Sequence, residues 1–347
     1  MKKLAVKLLS ITIIITSLIV ISCSSSDDPN PISTPEAKVI ESLNTGIMNG
    51  TLEESFTLDA STQYALTGQF IIAQGAVLNI PAGTKIVADN GGTDVYVAVL
   101  KGGQININGN ATNPVVMSSI DGNPGDWGGL TICGNATTTA GIDAEAEVGG
   151  FSYGGSNDTD TSGSITYLVI KGTGAQINSE SQYNGISLYT VGSGTTIANI
   201  SVINGADDGV EFFGGTVSAS NLYLENNEDD AVDWTEGWKG TITNTYISHT
   251  IDGFSTAFEG DKVNNNPQFV NVTAISTVGG TALQFKKQSG ATINNLYLSG
   301  YDTNIDMKDD GPLVNVQIDG TDANPASNYN TGTPIDISGW VWKNFNL

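Results

Sequence analysis

Arginine is absent from this chain, histidine occurs once and cysteine twice. Each shortage excludes something. The thirteen basic residues are all lysines and stand against 36 acids, a formal charge of −23, so a phosphate backbone would be repelled and no nucleic acid is expected as a partner. One histidine, His249, and two thiols, Cys23 and Cys133, cannot furnish a zinc cluster. If Cys23 carries lipid, Cys133 has no partner for an internal disulfide. A Ser-His-Asp triad would have to use His249, which Ser248-His249-Thr250-Ile251-Asp252 sets at a strand end, where a polar corner residue is the expected role. No glycine-rich phosphate loop opens a helix, and the body of the chain has no convincing helical period over eleven residues.

What is present begins with an address. Lys2, Lys3 and Lys7 form a basic start, and Leu8 to Ile21 is uncharged, apolar and too short for a comfortable membrane span, which reads as a signal peptide over residues 1–22. Ser22-Cys23, followed by three serines, Asp27 and Asp28, resembles bacterial lipoprotein signals, and the acids after the cysteine resemble the surface-export signals of Bacteroidota lipoproteins. That resemblance implies a lipidated (palmitate-bearing) Cys23 and an outer-membrane anchor facing the cell surface. Residues 23–50, with Pro29, Pro31 and Pro35, read as a flexible tether, and residues 51–347 as the folded domain.

That domain repeats. Asn199-Ile-Ser-Val, Asn221-Leu-Tyr-Leu, Asn244-Thr-Tyr-Ile, Asn271-Val-Thr-Ala, Asn295-Leu-Tyr-Leu and Asn315-Val-Gln-Ile follow one another at 22, 23, 27, 24 and 20 residues. A second ladder runs in phase: Asn184-Gly-Ile-Ser-Leu, Asp208-Gly-Val-Glu-Phe, Asp230-Ala-Val-Asp-Trp, Asp252-Gly-Phe-Ser-Thr, Thr281-Ala-Leu-Gln-Phe and Thr303-Asn-Ile-Asp-Met. Such a period, with short strands and no helices, predicts an all-β fold, a right-handed parallel β-helix with coils of about 20–27 residues. A leucine-rich-repeat horseshoe would want several leucines per repeat and a helical side. Alternation points Ile186, Val210, Val232, Phe254, Leu283 and Ile305 inward, with Leu188, Phe212, Trp234, Phe285 and Met307 behind them, and asparagines at a constant corner can bond those above and below. Residues 136–163, rich in Gly, Asp and Thr, read as a surface insertion.

The order Leu-Asn-Ile-Pro-Ala-Gly-Thr (78–84), Trp-Gly-Gly-Leu-Thr-Ile-Cys-Gly-Asn-Ala (127–136), Ala-Asp-Asp-Gly-Val-Glu-Phe-Phe-Gly-Gly-Thr-Val (206–217) and the closing Gly339-Trp340-Val-Trp342 resembles a group of secreted or lipid-anchored right-handed β-helix proteins of Bacteroidota and some Proteobacteria. The resemblance implies a surface or secreted β-helix and no defined activity.

Two constellations are candidates for chemistry. Asp208, Asp230 and Asp252 fall at equivalent corners of successive coils, with Glu211 and Asp233 beside the first two. Carboxylates stacked at coil spacing repel one another unless a cation or hydrogen bonds neutralise them, so either each Asp accepts N–H bonds at its own corner or the set holds Ca²⁺. A third reading gives paired acids such as Asp229 and Asp230 an acid–base role on a glycan; the missing arginine and the acidic groove speak against an anionic one. Tyr223, Tyr246 and Tyr297 face outward in the Asn-ladder strands, and Trp234 and Trp238 lie near the acidic corner, so they are binding-surface candidates for sugar rings or a protein. The expectation is a non-catalytic surface lipoprotein, a binding or scaffold subunit beside an outer-membrane β-barrel or other surface lipoproteins; the alternative is a glycan-binding or polysaccharide-degrading protein.

Overall fold

The computed structural model describes residues 35–347 apart from 180, 263, 265, 266, 309–312 and 314; Cys23 and the residues read as signal peptide lie outside the described residues. The short β-branched runs, broken by Gly, Asn and Asp, form strands that stack in parallel into three sheets, each coil laying one strand on each. The first sheet runs from the end of Gln63–Ile72 through Tyr96–Val99, Leu130–Cys133, Ile186–Tyr189, Val210–Phe213, Val232–Thr235, Thr256–Gly260 and Thr281–Phe285 to Thr303–Met307. The long strands Gly163–Lys171, Thr196–Ile203, Ser218–Glu225, Thr241–His249, Gln268–Ser276 and Ala291–Ser299 bend midway, their first halves building the second sheet and their second halves the third. This is the expected right-handed parallel β-helix.

The bend falls on one residue per coil. Asn199, Asn221, Asn244, Asn271 and Asn295 take φ of 60°, 56°, 63°, 57° and 58°, a left-handed conformation that asparagine tolerates better than most side chains. Each amide donates to the one in the coil before it: Asn221 to Asn199 and Asn244 to Asn221 at 2.8 Å, Asn271 to Asn244 at 2.9 Å, Asn295 to Asn271 at 3.0 Å. Asn315 falls outside this ladder; its amide donates to the Gln288 carbonyl instead.

The core is the shared interior of the three sheets. Ile186, Val210, Val232, Leu283 and Ile305 point into it, and an aromatic cluster fills its middle, with Trp234 5.0 Å and Phe258 4.9 Å from Phe269, ring centre to ring centre. Phe254 is not in the column. Register pairs Val232 with Phe258 and Phe258 with Leu283, while half-buried Phe254 stacks outside on His249 at 3.7 Å. The segment read as a tether is folded in its second half: helix Pro35–Asn44 lays Val39, Ile40 and Leu43 against the core, and Ile47–Leu52 pairs with Gln63–Ile72. Ten residues are too short for an eleven-residue period to register.

After the last coils, residues 329–347 return along the outer face of the third sheet. The Thr333 and Ile335 amides donate to Asn295 Oδ1 (2.8 Å) and Thr273 Oγ1 (2.9 Å), and Ser201 Oγ donates to the Lys343 carbonyl at 2.7 Å. Trp342 is buried there with Ile203 and Tyr223, and stacks on Trp340.

Candidate functional site

The outward row of the first sheet runs, in register, Thr131, Ser187, Glu211, Asp233, Glu259, Gln284, Asp306. Neighbours in such a row are about 4.8 Å apart, so three consecutive carboxylates share one strip of surface. The corners leading into two of these strands add Asp207-Asp208 and Asp229-Asp230. Gly209 permits the close stacking of those corners, because a Cβ there would stand 2.6 Å from the Ala231 carbonyl oxygen. The resulting cleft, about 380 Å³, is also lined by Glu147 of the insertion and by Gln176, Ser179, Ser181 and Gln182.

Within the cleft, carboxylate oxygens of Asp208, Glu211 and Asp233 lie within 4.8 Å of one another, as do those of Asp207, Asp208 and Asp229. Hydrogen bonds satisfy part of the set. Asn184 Nδ2 donates to Glu211 Oε2 at 2.7 Å, the Asp230 amide to Asp208 Oδ1 at 2.9 Å, Thr256 Oγ1 to Asp230, and Gln182 Nε2 to Asp207 at 3.0 Å. Asp233 Oδ1 is buried without any partner. Burial first, and repulsion between the acids second, holds Asp208, Glu211, Asp230 and Asp233 well above the ordinary carboxylate range. Asp207 is pushed up to about 7, by burial and then by the Asp229 charge against the opposing Gln182 bond. Glu147 is raised by burial, with Lys262 opposing.

The Glu259 end differs. Lys286 forms an ion pair with Glu259, Gln284 Nε2 donates to the same carboxylate, and Lys308 Nζ donates to Gln284 Oε1 at 3.0 Å. Positive charge therefore meets the row at one end, and no lysine bonds to Asp208, Glu211 or Asp233 among the described residues. Lys286 also lines the cleft.

The structure brings Asp208, Glu211, Asp230 and Asp233 together in one cleft. Asp252 is not among them: it sits exposed in the turn after His249, and Thr256 occupies the corner it was aligned with. Glu259 is the residue the repeat concealed. Aligning Ala231, Ala257 and Ala282 instead of the Asp-Gly pairs puts Glu259 beside Asp233 and Phe258 inside.

The aromatic candidates are not an open platform. Trp234 and Trp238 are core residues, and Trp238 Nε1 donates inward to the Val217 carbonyl at 2.9 Å. Tyr223 and Tyr246 do point outward and stack at 5.8 Å, but the returning tail covers them: Tyr223 is 6% exposed, beneath Trp342 and Lys343. Tyr297 is half-buried beside residues 325–330. His249 is buried, its Nδ1 3.0 Å from the Tyr301 hydroxyl, and burial lowers it to about 4.

The insertion is anchored. Tyr153 OH donates to Glu236 Oε2 at 2.9 Å, Asp158 pairs with Lys239 at 3.0 Å, and Lys101 reaches Asp143 and the Gly154 carbonyl. Beneath it Tyr189 stacks on Phe213 at 4.0 Å, and Cys133 is buried with its thiol pushed up to about 12, unfit as a nucleophile.

The clustered carboxylates could hold a metal ion. Asp208, Glu211 and Asp233 offer three carboxylate oxygens close enough to share an ion, and Asp233 Oδ1 has no hydrogen-bond partner. Hard divalent cations, calcium above all, take such ligands. No curated protein and no solved structure matches the chain. Residues 50–332 match the pectate-lyase-like β-helix domain, and the chain belongs to that family.

Proposed function

We infer that this is a binding protein: a β-helix, lipid-anchored through Cys23 at the outer-membrane surface, whose acidic cleft holds calcium. The observation that carries the reading is the trio Asp208, Glu211 and Asp233, to which no lysine bonds among the described residues, with the buried Asp233 Oδ1 left without a hydrogen bond. Ionised and metal-free, these groups would repel at short range in a partly dry site; a divalent ion removes that cost. Asp208, Glu211 and Asp233 would hold the ion, and Asn184 keeps Glu211 in place. The bound ion supplies a fixed positive centre able to take a ligand oxygen. Melting with millimolar CaCl₂ against the chelator-treated protein tests this: the melting temperature rises with calcium, and identical melts would refute it.

The anchor and the partner follow from the sequence reading. A tethered β-helix suits an accessory subunit beside an outer-membrane β-barrel or other surface lipoproteins. Loss of palmitate labelling in Cys23→Ser, and stoichiometric recovery of a β-barrel or lipoprotein with the tagged native protein, are the expected results.

A second reading is favoured by the family: a cleft that degrades glycan, with Asp207 as the proton donor. Raised to about 7, Asp207 would be protonated near neutrality and adjoins Asp229, an acid able to serve as base. The absence of arginine, and a lysine already paired with Glu259, restrict it to neutral glycans. Reducing-sugar release from a neutral polysaccharide, abolished by Asp207→Asn, would establish it over the binding reading.

A further inference from the structure

The outer face of the second sheet lies apart from the acidic cleft and is left uncovered by the returning tail. Its outward positions form two rows in continuous register. One runs through Ser164, Thr196, Ser218, Thr241, Gln268 and Thr292; the other, two residues along each strand, runs through Thr166, Ala198, Ser220, Thr243, Val270 and Asn294. The rows extend toward the N-terminus through Asn79 and Asn106, and through Pro81 and Asn108. All of these side chains are at least partly exposed, and none is charged. In a chain of net charge −23 that is an unusual stretch of surface.

Asn79, Asn106, Asn108, Thr166 and Ser218 engage their side chains within the protein, but elsewhere on the face the hydrogen-bonding capacity is unspent. The side chains of Ser164, Thr196, Ser220, Thr243, Thr292 and Asn294 make no hydrogen bond to the described protein, whereas the asparagine ladder one residue away at the bend satisfies itself internally. The repeat is fixed by the backbone: about 4.8 Å between coils and about 6.6–6.8 Å between the two rows. Charge selects the occupant. An anionic surface is opposed by the molecule's net charge, and a cationic one is drawn to the carboxylates of the first sheet rather than to this face. A hydrophobic partner would strand hydroxyls and amides without partners. A neutral surface with its own repeating hydroxyls both accepts and donates to Ser, Thr, Asn and Gln without a charge penalty.

We propose that the outer face of the second sheet is a docking surface for a neutral, insoluble polysaccharide, gripped by repeated uncharged hydrogen bonds. The site is independent of calcium and of the cleft. The full-length protein is mixed with microcrystalline cellulose, chitin and insoluble β-1,3-glucan, and depletion from the supernatant is measured with chelator present, at low and at high salt. Two variants accompany it: Thr196→Glu/Thr243→Glu, which sets carboxylates in both rows, and Asp233→Asn in the cleft. The expected result is depletion by at least one of the three, unchanged by salt and by Asp233→Asn. The double glutamate variant should bind at least about tenfold more weakly while keeping the native circular dichroism, since a carboxylate pressed on a neutral surface loses hydration for no partner. No depletion by any of the three overturns the proposal, as does equal binding by the glutamate variant. Partition into growing ice crystals without polysaccharide binding would give the face a different occupant and overturn it too. If the glutamate variant is misfolded, Thr196→Lys/Thr243→Lys replaces it, with the same loss expected.

Discussion

A buried carboxylate oxygen without a hydrogen bond is costly as an anion, and Asp233 Oδ1 is in that position with Glu211 and Asp208 close by. The side chain has two escapes, a proton or a cation, and under the proposed function the cleft uses the second. His249 is the reverse case at the scale of one residue. It is buried with Nε2 unpartnered and Nδ1 facing the Tyr301 hydroxyl, so the folded protein disfavours its charged form and lowers it from 6.5 to about 4. The unfolded chain takes up the proton first as pH falls, so this group's contribution is intact above about 6.5 and is lost progressively down to about 4. The full loss is on the order of 3 kcal/mol. His249→Phe gives up the bond to Tyr301 and about 1 kcal/mol at neutral pH. Denaturant melts from pH 7 to 4 should therefore show the variant gaining stability relative to the native protein as the pH falls, whatever the net slope set by the other groups.

At the scale of the element, the asparagine ladder and the core column make separable demands. Asn244 donates to Asn221, accepts from Asn271 and holds φ at 63°. Asn244→Ala loses both bonds and strains the backbone, a cost of about 2–4 kcal/mol. Asn244→Gly keeps the bend at ease and should cost less, and denaturant titration of the pair separates the two effects. The core makes its own test of register. Phe258→Ala should destabilise by about 3–5 kcal/mol, and Phe254→Ala by clearly less, because only Phe258 stands in the interior column. Equal losses would mean that the coil carrying Thr256–Gly260 is out of register.

That coil also shows how much was legible beforehand. The asparagine ladder could be read because one residue type serves both the left-handed bend and the amide bond to the next coil. The first-sheet ladder could be read as far as Asp233 and then slipped. The turn after His249 offers Asp252-Gly253-Phe254, a copy of the Asp-Gly-apolar pattern four residues before the true strand at Thr256. The outward placement of Tyr223 and Tyr246 follows from strand alternation. What covers them was not readable, because the tail crosses many coils with no strand and no period of its own. The lining residue Glu147 arrives from an insertion whose position depends on tertiary bonds such as Tyr153 to Glu236.

At the scale of the molecule, the cleft sets an electrostatic balance opposite in sign to that of His249. Unfolded carboxylates lose their protons near pH 4, while in the folded, metal-free protein Asp207 keeps its proton to about 7, and Asp208, Glu211, Asp230 and Asp233 are also held well above their usual range. Across that window the native state binds more protons than the unfolded one, so metal-free stability falls as pH rises from about 4 to 7 and beyond. Several carboxylates outweigh one histidine, so the net slope is downward. Calcium competes with those protons and gains affinity as pH rises. Melts at pH 5 and pH 8, with chelator and with calcium, should therefore show the larger calcium increment at pH 8; a larger increment at pH 5 would run against the assignment.

The cleft's affinity for calcium is the claim on which the functional account stands, and isothermal titration of the chelator-treated protein with CaCl₂ tests it most directly, alongside Asp233→Asn and Asp252→Asn. Saturable binding by the native protein, weakened at least about tenfold in Asp233→Asn and unchanged in Asp252→Asn, whose side chain lies exposed outside the cleft, is the predicted result. No heat and no saturation in the native protein, or equal binding by Asp233→Asn, would contradict it.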